Sequence, residues 1–196
     1  ELFVRHSSQT LEKQQRLVKT LRETLVKARM QPINNVFERF HQVLGRLQAQ
    51  QGKPVELKIE GSQVLVDKMI VDKLYEPLLH LVRNAFDHGV ETSLERQHRG
   101  KHSDAQIQLS AKQEGQYLNI SVQDNGRGLD LDAIRQKAIH SQLIDPTQSL
   151  TPAEIANLVF EPGFSTATQV NEISGRGFGL DAVRAQVQAL QARVTV

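Results

Sequence analysis

A chain of 196 residues with 39% hydrophobic and 23% charged side chains holds enough apolar material for one ordinary soluble domain and an appendage, which excludes a disordered polymer. Its net charge of +2 comes from 24 basic and 22 acidic residues scattered among one another, so no dense basic patch points to a nucleic-acid partner. The absence of cysteine excludes disulfides and thiolate chemistry, and no apolar run approaches the roughly 20 residues a bilayer span needs, so a cytoplasmic location without membrane insertion is expected.

The chain begins at Glu1 without Met and carries no signal peptide, which we read as a fragment of something longer. From Leu11 to Met30 there is neither Gly nor Pro, and Leu11, Gln14, Val18, Leu21, Leu25 and Ala28 follow a three-four spacing. Such a seam fits either a coiled coil or hairpin that dimerises, or a single amphipathic helix packed on its own domain. Pro32 stops this helix. Residues 1–31 are therefore expected to be a helical dimerisation segment or linker, and 32–196 the main domain.

Ile33 to Gln50 predicts a second helix that buries Val36, Phe37, Phe40, Val43, Leu44 and Leu47, ended by Gly52 and Pro54. "VELKIEG" alternates as a strand does, with Val64 to Val66 as a short partner before a long helix that ends in "HLVRNAFDHG", His80 to Gly89. On a helix His80, Arg83, Asn84, Asp87 and His88 share one polar face. That face is compatible with a solvated surface or with a ligand site.

Residues 90–104 read as a short helix and an exposed loop. Gln106 to Ala111 and Tyr117 to Gln123 alternate around Glu114 and Gly115, predicting a hairpin. A helix over Leu131 to His140 follows. A long segment rich in proline and small polar residues then encloses a short helix from Pro152 to Phe160, and loops of that length are usually functional or mobile. A last helix, Phe178 to Gln191, leads to the expected strand "RVTV".

Two glycine clusters stand at element boundaries. "DNGRGL", Asp124 to Leu129, places an acid at a strand end with two glycines behind it, so a flat ligand could approach the backbone while Asp124 accepts from an amino group. "SGRGFGL", Ser174 to Leu180, places three glycines before a helix, whose free amides and positive dipole end favour an anion such as phosphate. Neither matches the dinucleotide fingerprint or the P-loop.

In this order, H-x-x-R-N-x-x-D-H-G, D-x-G-x-G, F-x-P-G-F-S-T and S-G-R-G-x-G-L-D-x-V resemble the four nucleotide-binding boxes of the GHKL ATPase superfamily. Within it, "EPLLHLVRNAFDHGVE", "DNGRGLD", "FEPGFSTA" and "SGRGFGLDAVR" resemble the catalytic domain of chemotaxis histidine kinases, and "ARMQPI" is similar to the junction with their dimerisation domain. The likeness covers roughly residues 29–196.

The resemblance implies an α/β two-layer sandwich, the Bergerat fold, with a mixed, mostly antiparallel sheet and helices on one face, preceded here by the N-terminal helix. It implies ATP and Mg²⁺ as cofactors. Asn84 would coordinate the metal, with His80 as a second contributor; Asp87 and His88 would line the pocket, and Asp124 would receive the adenine amino group beside Gly126 and Gly128. A lid over about 144–174 would hinge around Phe160, Phe164, Ser165 and Thr166, and Gly175, Arg176, Gly177 and Gly179 would cradle the phosphates. Lys137 is either a further phosphate contact or a solvated lysine.

ATP-hydrolysing members such as gyrase B, MutL and the ninety-kilodalton heat-shock chaperone carry Glu one turn before the metal-binding Asn; here that residue is His80. Without that base, water is a poorer acceptor. The resemblance then implies transfer of the γ-phosphoryl group to a histidine on a separate phosphotransfer domain, with His80 a candidate catalytic base. A downstream response regulator, a receptor or coupling protein engaged through other domains, and a homodimer in the full protein follow from the same likeness. A hydrolysing conformational clamp and a non-catalytic dimerising scaffold are the alternatives. His6 and His41 lack the acid and proline context of an acceptor histidine, and His98, His102 and His140 lack metal-ligand spacing. Two departures stand out: the family's closing hairpin would lie beyond Val196, and Phe178 replaces a small aliphatic residue in the last box.

Overall fold

The computed structural model describes residues 2–101, 104–164 and 179–196, with side chains from Lys13 onward. Helix α1 (Leu2–Arg29) starts earlier than its apolar seam suggests and ends at the strand β1 (Met30–Pro32). The periodic stretch after Pro32 divides at Glu38 into α2 (Asn34–Phe37) and α3 (Arg39–Gln51), with Ile33, Val36, Phe37, Phe40 and Leu44 all buried. Gly52 closes α3 in the left-handed conformation, its amide returning to Gln48 O at 2.8 Å.

Two sheets follow. β2 (Val55–Glu60) runs parallel to β4 (Ala105–Glu114), which pairs antiparallel with β5 (Tyr117–Asp124), so the sheet is mixed. The β4–β5 hairpin closes Glu114 on Tyr117 through two residues, and Gly115 supplies the positive φ of +61° at the first of them. β3 (Leu65–Asp67) does not partner β2 as the sequence suggested. It pairs antiparallel with β1 instead, and the ladder continues as Ile33 N donates to Val64 O at 2.9 Å. A three-residue run has too little pattern to choose its partner. Asp67 joins this corner to the next helix: its Oδ1 accepts from Arg29 Nη2 at 2.9 Å and caps Met69 N at 2.8 Å.

Helix α4 (Lys68–Asn84) lies over the sheet and buries Val71, Pro77, Leu78 and Val82. Together with α2, α3 and the inward residues Ala105, Ile107, Leu109 and Ala111 of β4 they form the main core. On β5 the alternation is strict, Leu118, Ile120 and Val122 half-buried and Tyr117, Asn119, Ser121 and Gln123 exposed, so the described helices cover one face only.

A second core joins α6 (Leu131–His140), α7 (Pro152–Asn157), the single 3₁₀ turn Leu158–Phe160, and α8 (Leu180–Ala189). It buries Ile134, Ala138, Ile144, Val159, Phe160 and Phe164, so the expected lid segment contributes Ile144, Val159, Phe160 and Phe164 to this core, while 145–149 and 151–154 are exposed. The closing "RVTV" is not a strand: Val194 packs on this second core and Val196 N donates to Asn157 Oδ1 at 3.0 Å, a side-chain contact in place of a ladder. The last helix begins at Leu180, and Phe178 lies outside the described residues.

Candidate nucleotide site

The polar face of "HLVRNAFDHG" is bent out of α-helical register. α4 ends at Asn84, and Ala85–Gly89 form a π-helical turn in which Val90 N reaches back five residues to Ala85 O at 2.8 Å. Single π turns inside α-helices are frequent at functional sites because they re-aim side chains. The turn changes the spacing of Asp87 and His88 relative to His80, Arg83 and Asn84, which stay in α-helical register; His80, Asn84 and Asp87 are half-buried, while Arg83 and His88 are exposed. The α3–β2 connection clamps the turn. Gln51 Nε2 donates to Asp87 Oδ1 at 2.7 Å, and Lys53 Nζ donates to Val90 O at 3.2 Å and lies 3.5 Å from Asp87 O.

The turn ends against the first glycine cluster. Asp124 closes β5, its Oδ1 accepting from Gly126 N at 2.9 Å. A β-carbon on Gly89 would stand 2.6 Å from that oxygen, and one on Gly126 would stand 2.0 Å from Gly89 O. The two glycines are thus required by close packing of the two segments on each other, and Arg127 N donates to Gly89 O at 3.0 Å to complete the junction. Gly128 has a different reason: its φ is +74°, and an added β-carbon would meet nothing within 4 Å. Among the described residues Asp124 Oδ2 accepts no hydrogen bond, which leaves one carboxylate oxygen for a ligand's donor.

Behind this junction sits a charge cluster that a polar segment concealed. Glu91, 1% exposed, binds Arg96 Nη1 at 3.3 Å, Arg99 Nη1 at 3.0 Å and Lys101 Nζ at 3.0 Å. Arg96 reaches on to Asn125 O and Asp104 O, each at 3.2 Å, and Lys101 Nζ to Gly126 O at 2.7 Å. Burial alone would raise the Glu91 carboxyl, but the Lys101 hydrogen bond and the charges of Lys101, Arg99 and Arg96 outweigh it and hold it below the ordinary carboxylate range. The sequence signal for this cluster is the capping box Thr92 to Glu95, which fixes the short helix α5 (Ser93–His98) and so turns Arg96 inward.

His80 sits one turn before Asn84. Its partial burial lowers its pKa below the ordinary value, Glu76 opposes this, and Arg83 adds to it. Lys137, on α6, lies 4.8 Å from the centre of the Phe164 ring. Gly179 precedes α8, which packs against α4, the helix that carries Asn84. Ser165, Thr166, Gly175, Arg176 and Gly177 lie outside the described residues. No group of three or more His, Cys, Asp or Glu side chains among the described residues could hold a metal alone. The donor set fits a magnesium ion that takes one amide oxygen from the protein and the rest from phosphates and water.

Residues 69–196 match the family of histidine kinase-, DNA gyrase B-, and HSP90-like ATPases, and the chain belongs to that family. It is 43% identical to the chemotaxis protein CheA of Borreliella burgdorferi over 92% of its own length and 21% of the relative's. The chemotaxis protein CheA of Rhizobium meliloti is 39% identical over 95% of this chain and 24% of the relative, and the sensor histidine kinase CheAY of Helicobacter pylori 36% identical over 100% and 25%. The chain thus spans about a fifth to a quarter of the length of these three relatives.

Proposed function

We propose that this chain is the ATP-binding catalytic domain of a CheA-like histidine kinase, residues 32–196 forming that domain and 1–31 a dimerisation segment. The observation that carries the reading is the junction of the Asn84 helix with Asp124: a carboxylate at a strand end, one oxygen taken by Gly126 N, packed against the π turn that follows Asn84. Asp124 Oδ2 would accept from the adenine amino group and Asn84 would hold Mg²⁺, with phosphates and water as the remaining ligands. The metal would neutralise charge on the phosphates. Asp87, held by Gln51, and His88 would line the pocket, and Ser165, Thr166, Gly175, Arg176, Gly177 and Gly179 would contact the phosphates with Lys137 beside them.

In the reaction the bond from the γ-phosphorus to the bridging oxygen breaks, a bond to an imidazole nitrogen of an acceptor histidine on a separate phosphotransfer domain forms, and the imidazole proton leaves to a base. His80, held neutral by its surroundings, is the candidate for that proton. A response regulator would receive the phosphoryl group next, in a cytoplasmic signalling chain coupled to a receptor. The names and identities of the relatives support this reading, as does His80 in place of an acid.

The test is to incubate the chain, extended at its C-terminus, with γ-labelled ATP and a histidine phosphotransfer domain. Acid-labile label on the acceptor, lost with Asn84→Asp, is the expected result. Label released only as free phosphate would instead support the hydrolysing clamp.

A further inference from the structure

We propose that Lys101 is a positioning residue for base recognition: through Glu91 and the Gly126 peptide it sets the orientation of the Asp124 carboxylate, and with it the preference for an amino-bearing purine. The inference rests on the reading of Asp124 as the adenine acceptor. Gly126 is held on both sides of its α-carbon: its N–H, in the peptide it shares with Asn125, donates to Asp124 Oδ1 at 2.9 Å, and its C=O, in the next peptide, accepts from Lys101 Nζ at 2.7 Å. The first peptide is also held at its own carbonyl, Asn125 O, by Arg96 Nη1 at 3.2 Å, so with Lys101 tying the second both planes flanking Gly126 are fixed, Oδ1 is committed and Oδ2 is left for the ligand.

Lys101 is itself fixed. Its ammonium lies 3.0 Å from Glu91 Oε2 and 3.3 Å from Oε1, and that carboxylate is buried and held in turn by Arg96, which also donates to Asn125 O. The chain of contacts therefore runs from an anchored anion through Lys101 to the peptide behind Asp124. Charge-assisted hydrogen bonds of this kind are short and directional, and a site built to pair with a substrate N–H rejects an analogue lacking it. Arg99 supplies an internal control, because it touches Glu91 Oε1 at 3.0 Å, is 56% exposed, and among the described residues makes no side-chain hydrogen bond to Asn125 or Gly126.

The experiment compares affinities for ATP and inosine triphosphate, which carries a carbonyl in place of the amino group, by direct titration of this chain. The parent is expected to prefer ATP strongly, Asp124→Asn to lose the preference, and Lys101→Met to reduce it at least about tenfold while the melting temperature stays close to the parent's. Arg99→Met and Lys101→Arg should keep it. If Lys101→Met does not fold, Lys101→Thr takes its place with the same expectation. A preference unchanged in the Lys101 variant, in a parent that discriminates, overturns the role of Lys101 alone. A parent that does not discriminate, and is indifferent to Asp124→Asn, overturns the Asp124 reading and this inference with it.

Discussion

The carboxylate of Asp124 rests on the α-carbon of Gly89, so closely that a β-carbon there would lie 2.6 Å from Oδ1, 2.8 Å from Cγ and 2.9 Å from Oδ2. Everything a methyl group would strike at Gly89 belongs to a side chain that can swing away. At Gly126 the obstruction is the backbone oxygen of Gly89 at 2.0 Å, which cannot. Gly89→Ala is therefore expected to displace the Asp124 carboxylate, weakening ATP binding by about tenfold or more, some 1.4 kcal/mol, with little loss of stability. Gly126→Ala should cost stability as well, on the order of 1–3 kcal/mol or more, because the strand end and the π turn must separate. Denaturation and nucleotide titration of the two variants check this, and equal stability losses would contradict it.

The hairpin and the α4 helix were legible because each rests on period and on turn residues: Gly115 at its turn, Leu78 and Val82 on one helical stripe, Ile107 and Leu109 on one strand face; the mixed sheet came from the resemblance. What escaped was set by contacts between distant segments. The π turn after Asn84 depends on Gln51 and Lys53, more than thirty residues away. Glu91 and Arg96 read as surface because nothing local announces that Asn125 and Gly126 will bring carbonyls to their cations. The glycines of "DNGRG" suggested room for a flat ligand, whereas Gly126 is occupied by Gly89 and only Gly128 is open.

Glu91 gives a pH signature. Its folded pKa is lowered, so it contributes stability that is fully present above its ordinary value of 4.5 and is lost as pH falls through the lower folded value. Glu91→Gln leaves Arg96 buried beside a neutral amide, and breaking a buried ion pair typically costs about 3–5 kcal/mol. The stability gap between the parent and Glu91→Gln is expected to be constant above about pH 5 and to narrow below it. Denaturant melts across the acid range read this directly; a gap that widens toward low pH would contradict it.

His80 responds to its neighbours in opposite senses. Burial lowers its pKa, Glu76 raises it and Arg83 lowers it. If His80 takes the proton of the incoming imidazole, transfer should fall as pH drops through a value below the ordinary 6.5, where His80 becomes protonated. Arg83→Ala should move that acid limb upward and Glu76→Gln should move it downward. NMR titration of the His80 ring gives the same shifts without catalysis, so the two measurements must agree. A transfer rate unaltered by His80→Ala at saturating ATP would remove the base role.

Helix α1 leaves its apolar seam uncovered within the chain. Leu17, Val18, Leu21 and Leu25 are each more than half exposed, so the helix is not packing this face on its own domain. That is the condition in which a second copy gains most, since each leucine removed from water contributes roughly 1.5–3 kcal/mol. Among the described residues the domain's cores take no buried residue from this seam, so disrupting it should not disturb nucleotide binding. Leu21→Glu with Leu25→Glu is expected to weaken self-association by about a hundredfold or more while ATP affinity and the melting of the ATP-binding domain stay unchanged. Sedimentation over a concentration series distinguishes the outcomes: a parent that remains monomeric throughout, or a variant that still dimerises, would place the interface elsewhere. Because the seam spans fewer than three heptads and carries Gln14 at one position, the parent's dimer should dissociate on dilution into the micromolar range, roughly −8 kcal/mol of association, when no further contacts support it.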